Sequence, residues 1–237
     1  MSTDRTEKFF HQYADDFDAI YSNRTGLVND VLNNVFRKSM RLRFEKSVEG
    51  CFPIEGKTVL DIGCGPGHYS ISLAQRGAAR VVGIDFAEGM LKLAAQHATQ
   101  AGVGQRCEFS VADFATYNPP EPFDYVIVMG FMDYMSDPRQ VVEKVLSMTR
   151  RKAFFSFPVA GGILGWQREL RYRKRCDLFL YTRPQLEKLF ASFPGVRATI
   201  EPIARDFFVT LHADASVLTP SVHVGRAGVQ EMRGGGK

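Results

Sequence analysis

Three glycines at alternate positions follow an apolar run, and an acidic residue stands two positions before the first of them. The segment Val59–Gly67 reads VLDIGCGPG, with the acid at Asp61 and the first glycine at Gly63. Glycine lets the backbone turn sharply and lets a ligand approach the main chain. Asp85 then ends a second apolar run, Val81–Ile84. Together these features predict a pocket for a cofactor that carries a nucleoside.

The spacing of the glycines excludes two common nucleotide-binding motifs. Counted from Gly63, the dinucleotide fingerprint G-x-G-x-x-G needs its third glycine where His68 stands. A phosphate-binding loop that ended in the tripeptide at 56–58 would need glycine where Cys51 stands. The pattern is D-x-G-x-G-x-G, which lacks the arrangement that seats a pyrophosphate on a helix N-terminus.

Acidic residues end three successive predicted strands. Asp61 belongs to the first strand, and Asp85 ends the second, where a carboxylate can accept both hydroxyls of a ribose. Asp113 and Phe114 follow the third strand, where a side-chain acceptor and a neighbouring backbone amide could read an adenine edge. The three acids therefore form one candidate site.

The elements that must position these acids alternate between strand and helix. Predicted strands lie at about 58–62, 80–84, 106–111, 123–129, 151–157, 196–202 and 205–212, and predicted helices at 67–76, 87–100, 137–149 and 183–192. This alternation predicts an α/β, doubly wound, mostly parallel seven-stranded sheet with helices on both faces and a C-terminal antiparallel hairpin. Ligands of such sheets bind at the carboxyl ends of the strands.

Three segments lie outside this alternation. An amphipathic helix is predicted over 25–45, and it is expected to pack on the sheet. Residues 158–182 are interpreted as a basic insertion that covers the active edge of the sheet within a catalytic domain of 51–213. Residues 214–237 are small and polar, which predicts a mobile tail.

Composition narrows the class of protein further. The chain has 237 residues, a net charge of +4 and 45% hydrophobic residues, which is typical of one globular domain with too little charge to indicate nucleic-acid binding. Its four cysteines and five histidines have no metal-like spacing, so no metal site is predicted. Neither a signal peptide nor a membrane span is recognisable, and a cytoplasmic protein is expected.

The glycine loop and the acids that follow it make the chain resemble class I S-adenosylmethionine-dependent methyltransferases over roughly residues 55–157. The resemblance implies that S-adenosylmethionine is the cofactor and that residues 1–50 form a helical cap over the active site. The loop would hold the methionine moiety, although Asp61 could instead only brace the loop, and the two cap tyrosines could instead pack in the core. The residues predicted to contact the cofactor are Tyr13, Tyr21, Asp61, Gly63, Cys64, Gly65, Gly67, His68, Asp85, Phe86, Met90, Asp113, Phe114 and Met129.

Methyl transfer to a hydroxyl needs a base near the end of the fourth strand. Asp133 is the first candidate, with Tyr134 as its orienting partner and His11 and His68 as reserves. The alternative is that Asp133 caps the next helix or faces solvent.

The methyl acceptor is predicted to be a small molecule. Amino-methylating nucleic-acid enzymes of this class carry Asp/Asn-Pro-Pro-aromatic where Val128–Phe131 stands, and the Pro-Cys of cytosine-C5 enzymes does not occur. Segments 149–158 and 206–210 are similar to magnesium-protoporphyrin O-methyltransferase-like enzymes, which implies an oxygen of an anionic metabolite. The basic run 168–175 could pair with a carboxylate or phosphate of that acceptor, or could be a solvated helix face. Nucleic-acid methylation and a non-catalytic, cofactor-binding partner subunit remain the alternatives.

Overall fold

A computed structural model describes residues 27–161 and 177–213, which contain five helices and seven strands. The helices are α1 (Leu27–Gly50), α2 (His68–Gln75), α3 (Glu88–Gln100), α4 (Pro138–Ser147) and α5 (Arg183–Ala191). The strands are β1 (Thr58–Ile62), β2 (Arg80–Asp85), β3 (Cys107–Val111), β4 (Phe123–Val128), β5 (Thr149–Pro158), β6 (Val196–Ile203) and β7 (Asp206–Ala213). Short 3-10 turns lie at Gly104–Arg106 and Met132–Tyr134.

The seven strands form one sheet in the order β3-β2-β1-β4-β5-β7-β6. The pairs among β1 to β5 are parallel, whereas β7 runs antiparallel to both β5 and β6. The direction of winding reverses between β1 and β4, and ligands of open α/β sheets bind at the carboxyl ends of the strands at such a point. The predicted fold class is confirmed. The position of β7 between β5 and β6 adds a detail that the predicted hairpin did not specify.

Alternate residues of the central strands supply two apolar clusters, one on each face of the sheet. Leu60 and Val126 pack with α4 and α5, whereas Val59 and Ile127 pack with α2 and α3. Fully burying one such side chain contributes about 1.5–3 kcal/mol. Both faces of the sheet are thus held rigidly, so the loops at its carboxyl edge start from fixed points.

Two helix starts follow local sequence signals. Asp137 precedes Pro138, and its side chain accepts a hydrogen bond from the amide of Gln140 at 3.1 Å. Thr182 precedes α5, and its amide donates to Oε1 of Gln185 at 2.8 Å.

No helix within 27–161 or 177–213 is long and apolar enough to cross a membrane.

Helix α1 packs on the sheet, as predicted for the amphipathic segment, but it extends to Gly50 rather than ending near residue 45. Lys46 pairs with Glu201 of β6 at 2.8 Å, and the ring of Phe44 lies 5.5 Å from that of Tyr69 in α2. The rest of the predicted cap, the 162–176 part of the insertion and the tail 214–237 lie outside the described residues.

Candidate functional site

The glycine loop turns back across the end of β2. The amides of Gly63 and Cys64 both donate to the carbonyl of Ile84, at 2.8 and 3.1 Å. The φ angles of Gly63, Gly65 and Gly67 are +68°, +50° and +81°. Residues other than glycine rarely adopt such backbone angles. This hydrogen bonding fixes the loop beside the carboxyl end of β2.

The two loop glycines Gly65 and Gly67 face different surroundings. A Cβ on Gly67 would lie 3.0 Å from that of Ala94 and 3.1 Å from the ring of Phe109, so helix and sheet pack against it. Among residues 27–161 and 177–213, no atom outside its immediate chain neighbours would lie within 4 Å of a Cβ on Gly65. The loop therefore presents open space at Gly65, where a ligand could approach the backbone.

Asp85 connects this loop to the start of α3. Its Oδ2 accepts from the amide of Gly65 at 3.0 Å, and its Oδ1 accepts from the amide of Ala87 at 2.9 Å. The residue is 9% exposed. Each carboxylate oxygen can accept more than one hydrogen bond, so Asp85 can brace the loop and still bind two hydroxyls of a ligand.

Asp61 lies under the loop and is only 2% exposed. Its Oδ2 accepts from the hydroxyl of Ser70 at 2.7 Å, which ties β1 to α2. Burial raises the pKa of Asp61 to about 7, although the hydrogen bonds from Ser70 lower it and the charge of Asp85 raises it further. These contacts favour the bracing role over direct contact with a ligand.

The raised pKa of Asp61 predicts a pH-dependent stability. Between about pH 4 and pH 7, the Asp61 carboxyl is protonated in the folded protein. In the unfolded chain, where its pKa is near 3.9, it is ionised over the same range. The stabilising contribution is therefore complete below about pH 4 and is lost as the pH rises through about 7. We expect Asp61→Asn to gain stability relative to wild type as the pH rises from about 4 to about 7, measured by urea unfolding. A difference in stability between Asp61→Asn and wild type that does not change with pH would contradict this assignment.

The turn after β3 places Asp113 and Phe114 at the same edge of the sheet. Asp113 is exposed, and its Oδ1 accepts from the amide of Ala115 at 2.8 Å. The ring of Phe114 meets that of Phe131 edge-on at 5.2 Å, and Phe131 lies 3.3 Å from where a Cβ on Gly63 would be. Phe131 thus links the turns after β1, β3 and β4. No signal in the sequence marks Phe131, although it lies two residues before the candidate base Asp133.

The five other predicted cofactor contacts within the described residues differ in burial. The sulfur of Cys64 lies 2.9 Å from where a Cβ on Gly83 would be, so this side chain packs against β2. Burial raises the pKa of the Cys64 thiol. His68 is exposed and stacks on His97 with ring centroids 6.4 Å apart, and Met90 is buried in α3. Phe86 and Met129, at the ends of β2 and β4, are half-buried.

Asp133 is neither a helix cap nor a solvent-facing residue. It is 2% exposed, and its carbonyl accepts from the amide of Phe179 at 2.8 Å. Asp137 caps α4 instead. The hydroxyl of Tyr181 donates to the carbonyl of Met135 at 3.2 Å, so the chain that returns from the insertion supports the turn that holds Asp133.

Some predicted residues cannot be placed in this site. His11, Tyr13 and Tyr21 lie outside the described residues, as does the basic run 168–175. Within 27–161 and 177–213, no three His, Cys, Asp or Glu side chains are grouped so that they could hold a metal ion.

The fold and this edge define a class I cofactor-binding sheet with a D-x-G-x-G-x-G loop and acids after β2 and β3. Residues 59–152 match the family described as a methyltransferase domain. The chain therefore contains a methyltransferase domain, and the class predicted from the sequence, a class I S-adenosylmethionine-dependent methyltransferase, is confirmed for this domain.

Relatives of known function support the same class. The ubiquinone biosynthesis O-methyltransferase of Pseudomonas fluorescens (strain SBW25) is 36% identical over 105 residues, which are 44% of this chain and 45% of that protein. The enzyme of the same name from Paracidovorax citrulli is 40% identical over 98 residues, or 40% of each chain. The chain thus matches less than half the length of these curated relatives.

Solved structures share the fold over more of the chain. Magnesium protoporphyrin IX methyltransferase from Synechocystis PCC 6803, with bound S-adenosylhomocysteine, covers 88% of this chain and all of its own, with a TM-score of 0.70 and 19% identity. DhpI, in a complex with S-adenosylmethionine, covers 89% of this chain and 97% of its own, with a TM-score of 0.63 and 17% identity. The [4+2]-cyclase SpnF covers 69% of this chain and 58% of its own, with a TM-score of 0.54 and 25% identity.

Proposed function

We propose that this protein is an S-adenosylmethionine-dependent methyltransferase that methylates an oxygen of a small, anionic acceptor. The observation that carries this proposal is the bond between Asp85 and the amide of Gly65, at the carboxyl end of β2. A carboxylate oxygen can accept more than one hydrogen bond, which suits Asp85 to the two hydroxyls of a ribose. Within the described residues, the space beside Gly65 would admit a ligand to the main chain. The residues present thus fit a nucleoside-bearing methyl donor.

The protein's own residues would position the acceptor. When bound, S-adenosylmethionine supplies an electrophilic methyl group on a sulfonium. Most of the acceleration then comes from holding the acceptor oxygen in line with that group. Asp133, in the turn after β4, is the proposed base for the acceptor's proton, and Tyr134 is its proposed orienting partner. Phe114 and Phe131 would exclude water beside Gly63.

The nature of the acceptor rests on two kinds of support. Oxygen as the methylated atom follows the curated relatives, which are named as O-methyltransferases. An anionic group is supported by the basic run 168–175, since arginine binds carboxylate and phosphate in a directional manner. Both statements extend beyond the domain that the family match covers.

The test is transfer of a labelled methyl group from S-adenosylmethionine to a mixture of fractionated metabolites and total RNA. We expect label in a small anionic product whose new methyl is bonded to oxygen. Label in RNA would support a nucleic-acid methyltransferase instead. Binding of S-adenosylhomocysteine without transfer to any fraction would support a non-catalytic role, and SpnF, a [4+2]-cyclase, shows that this fold does not by itself specify methyl transfer.

A further inference from the structure

Helix α1 brings an arginine to the carboxyl edge of the sheet. Nε of Arg43 donates to Oδ2 of Asp206 at 3.0 Å, and Nη2 lies 2.6 Å from Oδ1. The hydroxyl of Ser39, one turn earlier, donates to the same carboxylate. Asp206 is the first residue of β7 and is fully buried, and the Arg43 side chain is 12% exposed. Asp206 thus fixes the guanidinium on two of its three nitrogens.

The third nitrogen of Arg43 points to the end of β4. Nη1 lies 3.5 Å from where a Cβ on Gly130 would be, and Gly130 itself is two residues past the end of this strand. Tyr69 of α2 and Tyr134 are close enough to Arg43 to interact with its charge. Arg43 of α1 therefore lies beside the turn that carries the proposed base, where the acceptor of the proposed reaction would bind.

Packing of α1 against the sheet does not by itself require the buried ion pair between Arg43 and Asp206. Burying an ion pair costs desolvation free energy that an apolar contact of similar volume avoids. The same helix already has a more exposed ion pair to the sheet, between Lys46 and Glu201. Burial disfavours the charge on Arg43, but Asp206 more than offsets this effect, so its pKa is raised and the guanidinium stays charged.

We propose that Arg43 recognises the anionic group of the acceptor through Nη1, with Asp206 and Ser39 as positioning residues. This proposal rests on the proposed function. Asp206 offsets the positive charge of Arg43. Selectivity among acceptors therefore comes from the direction in which the N–H groups of Nη1 point, which suits one oxygen of a carboxylate or phosphonate. Arg43 thereby decides which acceptors bind and does not take part in binding the methyl donor.

The test uses benzoate and phenylphosphonate as anionic probes and benzamide as the uncharged probe, titrated by NMR with and without saturating S-adenosylhomocysteine. We expect wild type to bind both anions more tightly than benzamide. Arg43→Gln should weaken the binding of both anions at least tenfold and leave the affinities for benzamide and S-adenosylhomocysteine unchanged. Arg43→Lys should retain part of the preference for anions over benzamide. Lys46→Gln, which removes the other ion pair of α1, should change none of these affinities.

Two outcomes would overturn the assignment. One is that the anions bind wild type and Arg43→Gln equally, and the other is that wild type shows no preference for anions over benzamide. If Arg43→Gln unfolds because Asp206 is left unpaired, the double variant Arg43→Gln with Asp206→Asn removes both charges, and the same losses are expected. Failure of wild type to bind S-adenosylhomocysteine would count against the proposed function, while the titrations without it still report on Arg43.

Discussion

Replacing Asp85 by alanine is expected to weaken the binding of S-adenosylhomocysteine by roughly ten- to hundredfold. The variant loses a buried charged acceptor, and losing such a partner costs about 1–3 kcal/mol, with tenfold for each 1.4 kcal/mol. It also releases the amides of Gly65 and Ala87, which hold the loop and the start of α3 in place. Titration calorimetry with S-adenosylhomocysteine measures the change.

Asp124 provides the matched control for Asp85. It also accepts a bond from a backbone amide, that of Thr58 at 3.0 Å, but it does so at the amino end of β1. Asp124→Asn should leave the affinity for S-adenosylhomocysteine unchanged, whereas Asp85→Asn should reduce it. Equal affinities in wild type and Asp85→Ala would remove the main support for the proposed cofactor site.

Gly67→Ala is expected to lower the free energy of unfolding by about 2–5 kcal/mol. A non-glycine residue in the left-handed region costs about 1–2 kcal/mol, and overpacking typically adds about 1–3 kcal/mol. Both apply here, because φ is +81° and the new Cβ would lie 3.0 Å from that of Ala94. Urea unfolding gives the loss. Gly102→Ala is the control, since its φ is +72° and no described residue beyond its chain neighbours would lie within 4 Å of its new Cβ. It should lose only the free energy that the left-handed backbone conformation costs, about 1–2 kcal/mol.

Gly65→Ala, in the same loop, tests ligand binding with little effect on the stability of the fold. Its φ is +50° and its new Cβ would meet nothing within 4 Å in the described part of the chain, so its free energy of unfolding should fall by no more than that of Gly102→Ala. The added methyl group would nevertheless stand in the space that admits a ligand to the main chain. We expect at least a tenfold loss of affinity for S-adenosylhomocysteine. Unchanged affinity would show that the cofactor does not approach this glycine.

The sheet could be predicted closely because its signals are local. The bounds of β1, 58–62, agree at both ends with the predicted strand, and most other elements differ by one or two residues. Apolar runs bounded by glycine, proline or acid mark buried parallel strands irrespective of what packs on them. The D-x-G-x-G-x-G loop could be found because its glycines are needed for backbone angles that the loop itself imposes.

The directions of side chains could not be predicted in this way. Cys64 belongs to the loop, yet its sulfur packs against Gly83 of β2, and His68 faces solvent beside His97. Asp133 was as compatible with a helix cap as with a site. In the folded protein it is buried, and its carbonyl accepts from the amide of Phe179, which is 46 residues away in the chain. A sequence pattern does not report which distant segment covers a side chain.

By itself, the sequence determined the fold class, the glycine loop and the acids that follow β2 and β3, because each depends on residues close together in the chain. Only the tertiary structure decided that Asp61 is buried and bonded to Ser70 of α2, that Phe131 contacts three turns, and that β7 lies between β5 and β6. That strand order brings Asp206 to Arg43 across 163 residues of chain. In the sequence, Arg43 is one charge on an amphipathic helix, and packing alone places it beside the turn after β4.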